Sequence, residues 1–199
     1  MNPWWLIPAA VGLVAVTISV FAARQVVISA TESRVFHALN GLPDGLFPWL
    51  WLPMQLGNLV VGAAAGLLVA LLDHDLTAAI GVVLVVALKL VVERFVRREI
   101  ADYLAVRQRP GTSQTGAILR GRDVPSSGPS FPSGHVILAA GVATVVLAIV
   151  PSAWWWVPAL LTVLVAVGRV YVGAHNPLDV AAGLGAGLLL GSLVAMFVE

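Results

Sequence analysis

Long apolar stretches separated by short polar breaks make up most of this chain. Crossing a bilayer as a helix takes roughly 20 predominantly apolar residues, and six stretches approach or exceed that length. They are Trp4–Ala23, Phe47–Leu72 with Pro48 and Pro53 near its start, Leu76–Val96, Ser133–Val150, Trp154–Val172 and Pro177–Val198. The break Arg24–Gly45 carries Val35, Phe36 and Leu39 at a spacing that suits a short interfacial helix. One long loop, Arg97–Pro132, is rich in Arg, Gly, Ser and Pro. No basic residue precedes the first apolar run, and the run is longer than the core of a signal peptide, so it reads as a transmembrane helix. The pattern predicts an all-α, polytopic membrane bundle of about six transmembrane helices, with residues 1–199 forming a single membrane-embedded domain.

Composition agrees. Residues are 59% hydrophobic and 11% charged, with a mean hydropathy of +0.95, whereas a soluble domain is about 25% charged. Lipid must therefore serve as part of the solvent. The chain has no cysteine, which excludes disulfides, thiolate metal sites and every cysteine-based hydrolase mechanism. All seven tryptophans fall at the ends of the apolar runs, where an aromatic belt belongs. Gly183, Gly187 and Gly191 recur every four residues in the last run, a small-residue stripe for close helix packing that also permits a homodimer.

With six spans, the chain termini, the Asp73–Asp75 turn and the Pro151–Trp156 turn share one face of the membrane. The Arg24–Gly45 segment, the long loop and the Gly173–Asn176 turn share the other, and every arginine lies on or near that second face. The positive-inside rule assigns the arginine-rich face to the cytoplasm of a multi-pass cell-membrane protein.

The same face gathers the reactive residues from three distant segments: Arg107-Gln108-Arg109-Pro110, Pro132-Ser133-Gly134-His135, and Arg169 with His175 and Asp179. Arginine forks match the oxygens of a phosphate group. A helix N-terminus adds backbone donors and a favourable dipole. Ser133 stands where it would cap the fourth span, and Gly134 lets a ligand approach the backbone. Two histidines divide the labour of phosphoryl transfer, one attacking phosphorus and one protonating the leaving oxygen. His175 is the better nucleophile candidate. Asn176-Pro177 reads as the cap and first residue of the last helix, which puts Asp179 in the first turn, able to reach the His175 ring and fix its tautomer. His135 is then the acid. Arg24, Arg34, Arg94, Arg97, Arg107, Arg120 and Arg122 read as interfacial anchors.

This constellation resembles the type 2 phosphatidic acid phosphatase (PAP2) superfamily, which includes lipid phosphate phosphatases. The family's motifs are a Lys with Arg-Pro seven residues later, then Pro-Ser-Gly-His, then Ser-Arg with His six residues after the Arg and Asp four after that His. The second is complete at Pro132–His135, the third is present as Arg169, His175 and Asp179, and the first survives as Arg109-Pro110. Asp102 occupies the Lys position, with Arg98, Arg94 or Arg97 as replacements nearby, and Gly168 occupies the Ser position. The resemblance implies an integral membrane lipid phosphatase. Its substrates would be a polyprenyl phosphate or diphosphate, phosphatidic acid or phosphatidylglycerophosphate. Arg109, Pro110, Ser133, Gly134 and Arg169 would bind the phosphate, His175 would form a phosphohistidine oriented by Asp179, and His135 would protonate the leaving group. It implies no metal or other cofactor and no nucleic-acid partner, only lipid phosphate and membrane lipids. It also implies, for many bacterial relatives, a site facing away from the cytoplasm, opposite to the charge bias.

Rival readings remain at this level. Lys89 and Glu93, four residues apart within a span, suit an ion pathway as well as a buried pair. A lipid phosphotransferase would use the same phosphohistidine with an alcohol in place of water, and a non-catalytic family member would keep the motifs without the activity. Asp73-His74-Asp75-Leu76-Thr77 matches an aspartate-nucleophile pattern, but that chemistry needs a soluble α/β core and Mg²⁺, and this segment is a tight turn between spans.

Overall fold

The computed structural model describes residues 3–24, 27–96, 98 and 107–198. Among them the secondary structure is helical: α1 (Leu6–Ala23), α2 (Ala30–Asn40), α3 (Phe47–Met54), α4 (Leu59–Leu72), α5 (Leu76–Phe95), α6 (Pro110–Ser113), α7 (Gly134–Ile149), α8 (Trp156–Tyr171) and α9 (Pro177–Val198). The chain folds as an all-α, multi-pass membrane bundle. Among the described residues, four helical segments are each long and apolar enough to cross a membrane: Pro3–Ala23, Leu76–Phe95, Ser152–Tyr171 and Pro177–Val198.

The second apolar run departs from a simple span. It breaks into Asp44–Gly57 and Leu59–Leu72, inclined at 75° to each other. The cause is local. Pro53 interrupts α3, a 3₁₀ turn follows at Gln55–Gly57, and Asn58 adopts an extended conformation and caps α4, its side chain accepting from the Val60 and Val61 amides. The break has a use, because a Cβ on Gly57 would lie 2.7 Å from the Cβ of His135, so the turn lies directly against that histidine.

The fourth run is apolar but only 16 residues long as α7, about 24 Å at the usual helical rise. It runs through the centre of the bundle, buried along most of its length. The glycine stripe of α9 explains how α7 fits there. Added side chains at Gly187 and Gly191 would meet Ala140 Cβ and Thr144 Cβ at 2.6 Å each, and one at Gly183 would meet the Ser133 carbonyl at 2.7 Å. The stripe is thus filled by α7 of the same chain, which removes it as an argument for a homodimer. On the opposite side of α9, Gly12 of α1 and Gly185 come equally close, so the first helix is packed into the bundle.

The polar segment after α1 forms a helix that is anchored in the bundle by one face. Phe36 of α2 is wholly buried among Val136, Val165, Ala166, Val170 and Val180. Six tryptophans are exposed at helix ends, as a belt requires, while Trp5 turns inward against Ala195 and Met196. In the Asp73–Asp75 turn, Asp75 caps α5 by accepting from the Ala78 amide and the Thr77 hydroxyl.

Candidate active site

The three motif segments meet at one end of the bundle around a cavity of about 230 Å³. Arg109, Gly134, His135, Arg169 and His175 line it, together with Ser130, Glu93 and Asp123. Each arrives on a different element. Arg169 is in the last turn of α8 and His175 in the tight turn that follows. His135 is in the first turn of α7, and Arg109 leads into α6, whose first residue Pro110 fixes the turn. Gly173, at φ +76°, lets the chain reverse from α8 towards α9 and leaves no room for a side chain, since a Cβ there would meet the Ile118 carbonyl at 2.7 Å.

His175 is buried, and its Nδ1 lies 2.9 Å from the Ser130 carbonyl oxygen. A carbonyl only accepts, so Nδ1 carries the proton and Nε2 keeps its lone pair. Asp179 differs here from the expectation. Its Oδ2 is 3.9 Å from His175 Nδ1 and instead accepts from the Asn176 amide at 2.8 Å. The reason is helix geometry. Asn176 caps α9 and Asp179 is its third residue, where a carboxylate naturally returns to the cap amide. The backbone carbonyl of Ser130 fixes the tautomer, and Asp179 supplies negative charge behind the ring.

Burial, and then the positive charges of Arg169 and Arg109, hold the His175 pKa well below its ordinary 6.5, so the ring is neutral at neutral pH. Burial also lowers the pKa of Arg109, with Asp179 opposing that shift. The Arg109 guanidinium is steadied by donating to the Ala174 carbonyl at 2.8 Å.

Two buried polar atoms of the motif segments have no hydrogen-bond partner among the described residues: Arg169 Nε, on a residue that lines the cavity, and Ser133 Oγ, between the lining residues Pro132 and Gly134. Ser133 occupies the cap position of α7, but its hydroxyl does not cap the helix. The helix starts without it because the Ser133 carbonyl takes the Val136 and Ile137 amides, and its own amide donates to the Asp179 carbonyl at 2.9 Å. An unsatisfied buried hydroxyl costs about 1–3 kcal/mol. Such atoms in a native site are accounted for when a ligand completes them, and an anion with several acceptor oxygens would suit both donors.

Two arginines read as anchors are nothing of the kind. Arg107 is buried, donating to Asp179 Oδ1 at 3.1 Å and pairing with Glu32 of α2. Glu32 in turn accepts from the Leu178 amide at the start of α9. Arg120 is also buried, bonded to Asp44 and to the Asn40, Leu42 and Tyr171 carbonyls, with its guanidinium 4.3 Å from the centre of the Tyr171 ring. Both clamp the loops that carry the site. Arg24, Arg34, Arg94 and Arg122 are exposed, as anchors are.

Arg97 and Asp102 lie outside the described residues. Arg98 is exposed. The cation that packs beside the cavity is Lys89, which sequence spacing did not single out for phosphate. It is buried and paired with Glu93 at 2.9 Å. A Cβ on Gly134 would lie 3.5 Å from Lys89 Cε and collide with the Glu93 carboxylate. The pair therefore packs against the α7 N-terminus. Gly168 also has a packing reason: a side chain there would meet Met54 Cγ at 2.5 Å.

The model of the family described as the PAP2 superfamily matches residues 70–199. An undecaprenyl-diphosphatase of Sulfolobus acidocaldarius is 33% identical over 126 residues, 63% of this chain and 56% of that protein. The bacitracin transport permease protein BcrC of Bacillus licheniformis is 40% identical over 70 residues, 35% of this chain and 32% of its own length. This chain therefore aligns with about half or less of these curated relatives. Among solved structures, Aquifex aeolicus LpxE superposes with a TM-score of 0.70 at 21% identity, covering 86% of this chain and 98% of that one. A PAP2-type phosphatidylglycerolphosphate phosphatase of Bacillus subtilis gives 0.69 at 21% identity, covering 96% and 94%.

Proposed function

This chain belongs to the PAP2 superfamily, and we propose that it is a lipid phosphatase of the cell membrane that releases phosphate from a polyprenyl phosphate or diphosphate, or from a phospholipid phosphate, through a histidine-bound intermediate. The observation that carries the proposal is the cavity itself. One space holds a neutral, oriented histidine, a second histidine and two arginines, with Arg169 Nε buried there and Ser133 Oγ buried between the lining residues Pro132 and Gly134, both without a partner among the described residues.

In this reading the phosphate lies between Arg109 and Arg169, with Ser133 and the Gly134 backbone completing its oxygens and Lys89 adding charge beside them. His175 Nε2 attacks phosphorus. The N–P bond forms, the P–O bond to the lipid (or, in a diphosphate, to the lipid monophosphate) breaks, and the oxygen leaves with its electron pair and a proton from His135. Water then attacks phosphorus, His135 takes the water's proton, and inorganic phosphate leaves as the N–P bond breaks. Asp179, 3.9 Å from Nδ1, stabilises the positive charge that the ring acquires. The described helices pack as one bundle, which supports a single phosphatase domain. The similarity to an undecaprenyl-diphosphatase favours a polyprenyl substrate among the alternatives.

The test is phosphate release from a lipid panel by purified protein in detergent with EDTA present. The panel is phosphatidic acid, phosphatidylglycerophosphate, and a polyprenyl mono- and diphosphate. Wild type is expected to release phosphate and His175→Ala to release none. Equal release by both proteins would refute the nucleophile. Release only after an alcohol acceptor is added would mean a transferase.

A further inference from the structure

A second cavity, of about 110 Å³, lies between α4, α7 and α8 and is lined almost wholly by apolar atoms. On α7 it is formed by Ala139, Val142, Ala143 and Val146. These stand four, seven, eight and eleven residues after His135, which is the spacing of one helical stripe. The groove thus continues the stripe that begins at the second histidine, and Val146 lies about 16 Å further along the helix. That distance is about half the thickness of a bilayer's hydrocarbon core.

The opposite walls are also narrow stripes. Gly62, Ala65, Gly66 and Val69 come from α4, and Leu161 and Thr162 from α8. Small residues dominate the α4 and α7 walls. Ala65, Val69, Ala143 and Val146 are half-buried, so the groove is open along one side. Leu56, in the turn that presses against His135, forms its upper end.

We propose that this groove holds the single aliphatic or isoprenoid chain of the leaving group, joined to the leaving oxygen directly in a monoester or through the second phosphate in a diphosphate. The proposal rests on the phosphatase reading and on the direction of the reaction. In-line displacement puts the leaving oxygen on the side of phosphorus away from the nucleophile, next to the acid that protonates it. In a monoester the lipid chain is bonded to that oxygen, and in a diphosphate it follows after one more phosphate, so it departs on the His135 side, where Ala139, one turn further along α7, begins the wall of this groove. A larger groove of about 360 Å³ lies on the other side of the site, against Arg107 and Val35. It adjoins the side chain that holds Asp179, behind the nucleophile, where a leaving group has no reason to be.

The test compares a long-chain polyprenyl diphosphate with the short, water-soluble isopentenyl diphosphate. Ala65→Phe and Ala143→Phe, on opposite walls, are each expected to lower kcat/KM for the long chain at least tenfold and leave the short ester within twofold. Val35→Trp, in the other groove, is expected to change neither. Equal losses on both substrates would overturn the proposal, as would no loss on either or selective loss in Val35→Trp alone. If wild type hydrolyses neither ester, the phosphatase reading fails and takes the groove assignment with it. Because the chain has no cysteine, Ala143→Cys offers one thiol for a second measurement. A long-chain polyprenyl phosphonate should slow its alkylation and isopentenyl phosphonate should not; equal effects would contradict the assignment.

Discussion

Ser133 carries the sharpest consequence at the scale of single residues. It stands where a serine normally caps a helix, yet its hydroxyl is buried without a partner among the described residues. A residue kept for stability would be bonded; one kept for a ligand is satisfied only when the ligand arrives. Ser133→Ala is therefore expected to leave the thermal unfolding midpoint in detergent unchanged or raised, while lowering kcat/KM about tenfold, the worth of one hydrogen bond to a charged group. A lowered midpoint with unchanged activity would reverse the assignment. His175 makes a prediction about pH. Its pKa is held well below 6.5 by burial and by Arg169 and Arg109. The acid limb of kcat/KM, which tracks the neutral nucleophile, should accordingly lie below pH 6.5. Arg109→Gln removes a positive neighbour, raises the His175 pKa, and should move that limb to higher pH as well as slowing the reaction. A limb that stays in place would separate the two groups.

At the scale of elements, the site is held by ion pairs that tie loops to helix starts. Arg107 joins the long loop, α2 and α9 through Glu32 and Asp179. Breaking a buried pair by removing one partner costs about 3–5 kcal/mol. Arg107→Leu should lower the unfolding midpoint markedly, measured by tryptophan fluorescence in detergent. An unchanged midpoint would mean that the pair is dispensable. This network also marks the boundary of what the sequence could reveal. His135, His175, Arg109 and Arg169 were legible because family-like spacing and helix-end placement coincide. Arg107, Arg120 and Lys89 were not, because a basic residue near a membrane face has the same sequence signature whether it anchors in water or turns inward. Helix boundaries were legible from caps and prolines, as at Asn176-Pro177. The 75° break at Asn58 was not, since Pro53, Gln55 and Asn58 can sit within a span as well as end one, and their presence does not disclose that the first half bends to support His135.

For the whole molecule, hydropathy alone was enough to give an all-α membrane bundle. It could not say which helix lies at the centre, because α7 and the lipid-facing helices are similarly apolar. That position is set by glycines on α9 that match small residues on α7. Charge gives a further expectation at this scale. With Arg107, Arg109, Arg120 and Arg169 set aside as parts of the site or its clamps, Arg24, Arg34, Arg94, Arg98 and Arg122 remain exposed at the same end of the bundle. The positive-inside rule then predicts that this end is cytoplasmic. A periplasmic-type alkaline phosphatase fused after Glu199 should be active, since the C-terminus lies at the opposite end. An inactive fusion, with an active cytoplasmic reporter at the same point, would show that the arginines do not set the orientation.

The central claim is that His175 carries the phosphoryl group, and the most direct measurement is to trap it there. Protein mixed briefly with polyprenyl diphosphate labelled with ³²P in the terminal phosphate, then quenched in alkali, should retain label that is stable to base and lost in acid, as phosphohistidine is. The label should map to the peptide containing His175 and be absent in His175→Ala. Label on His135 instead, or phosphate release by His175→Ala at the wild-type rate, would contradict the account.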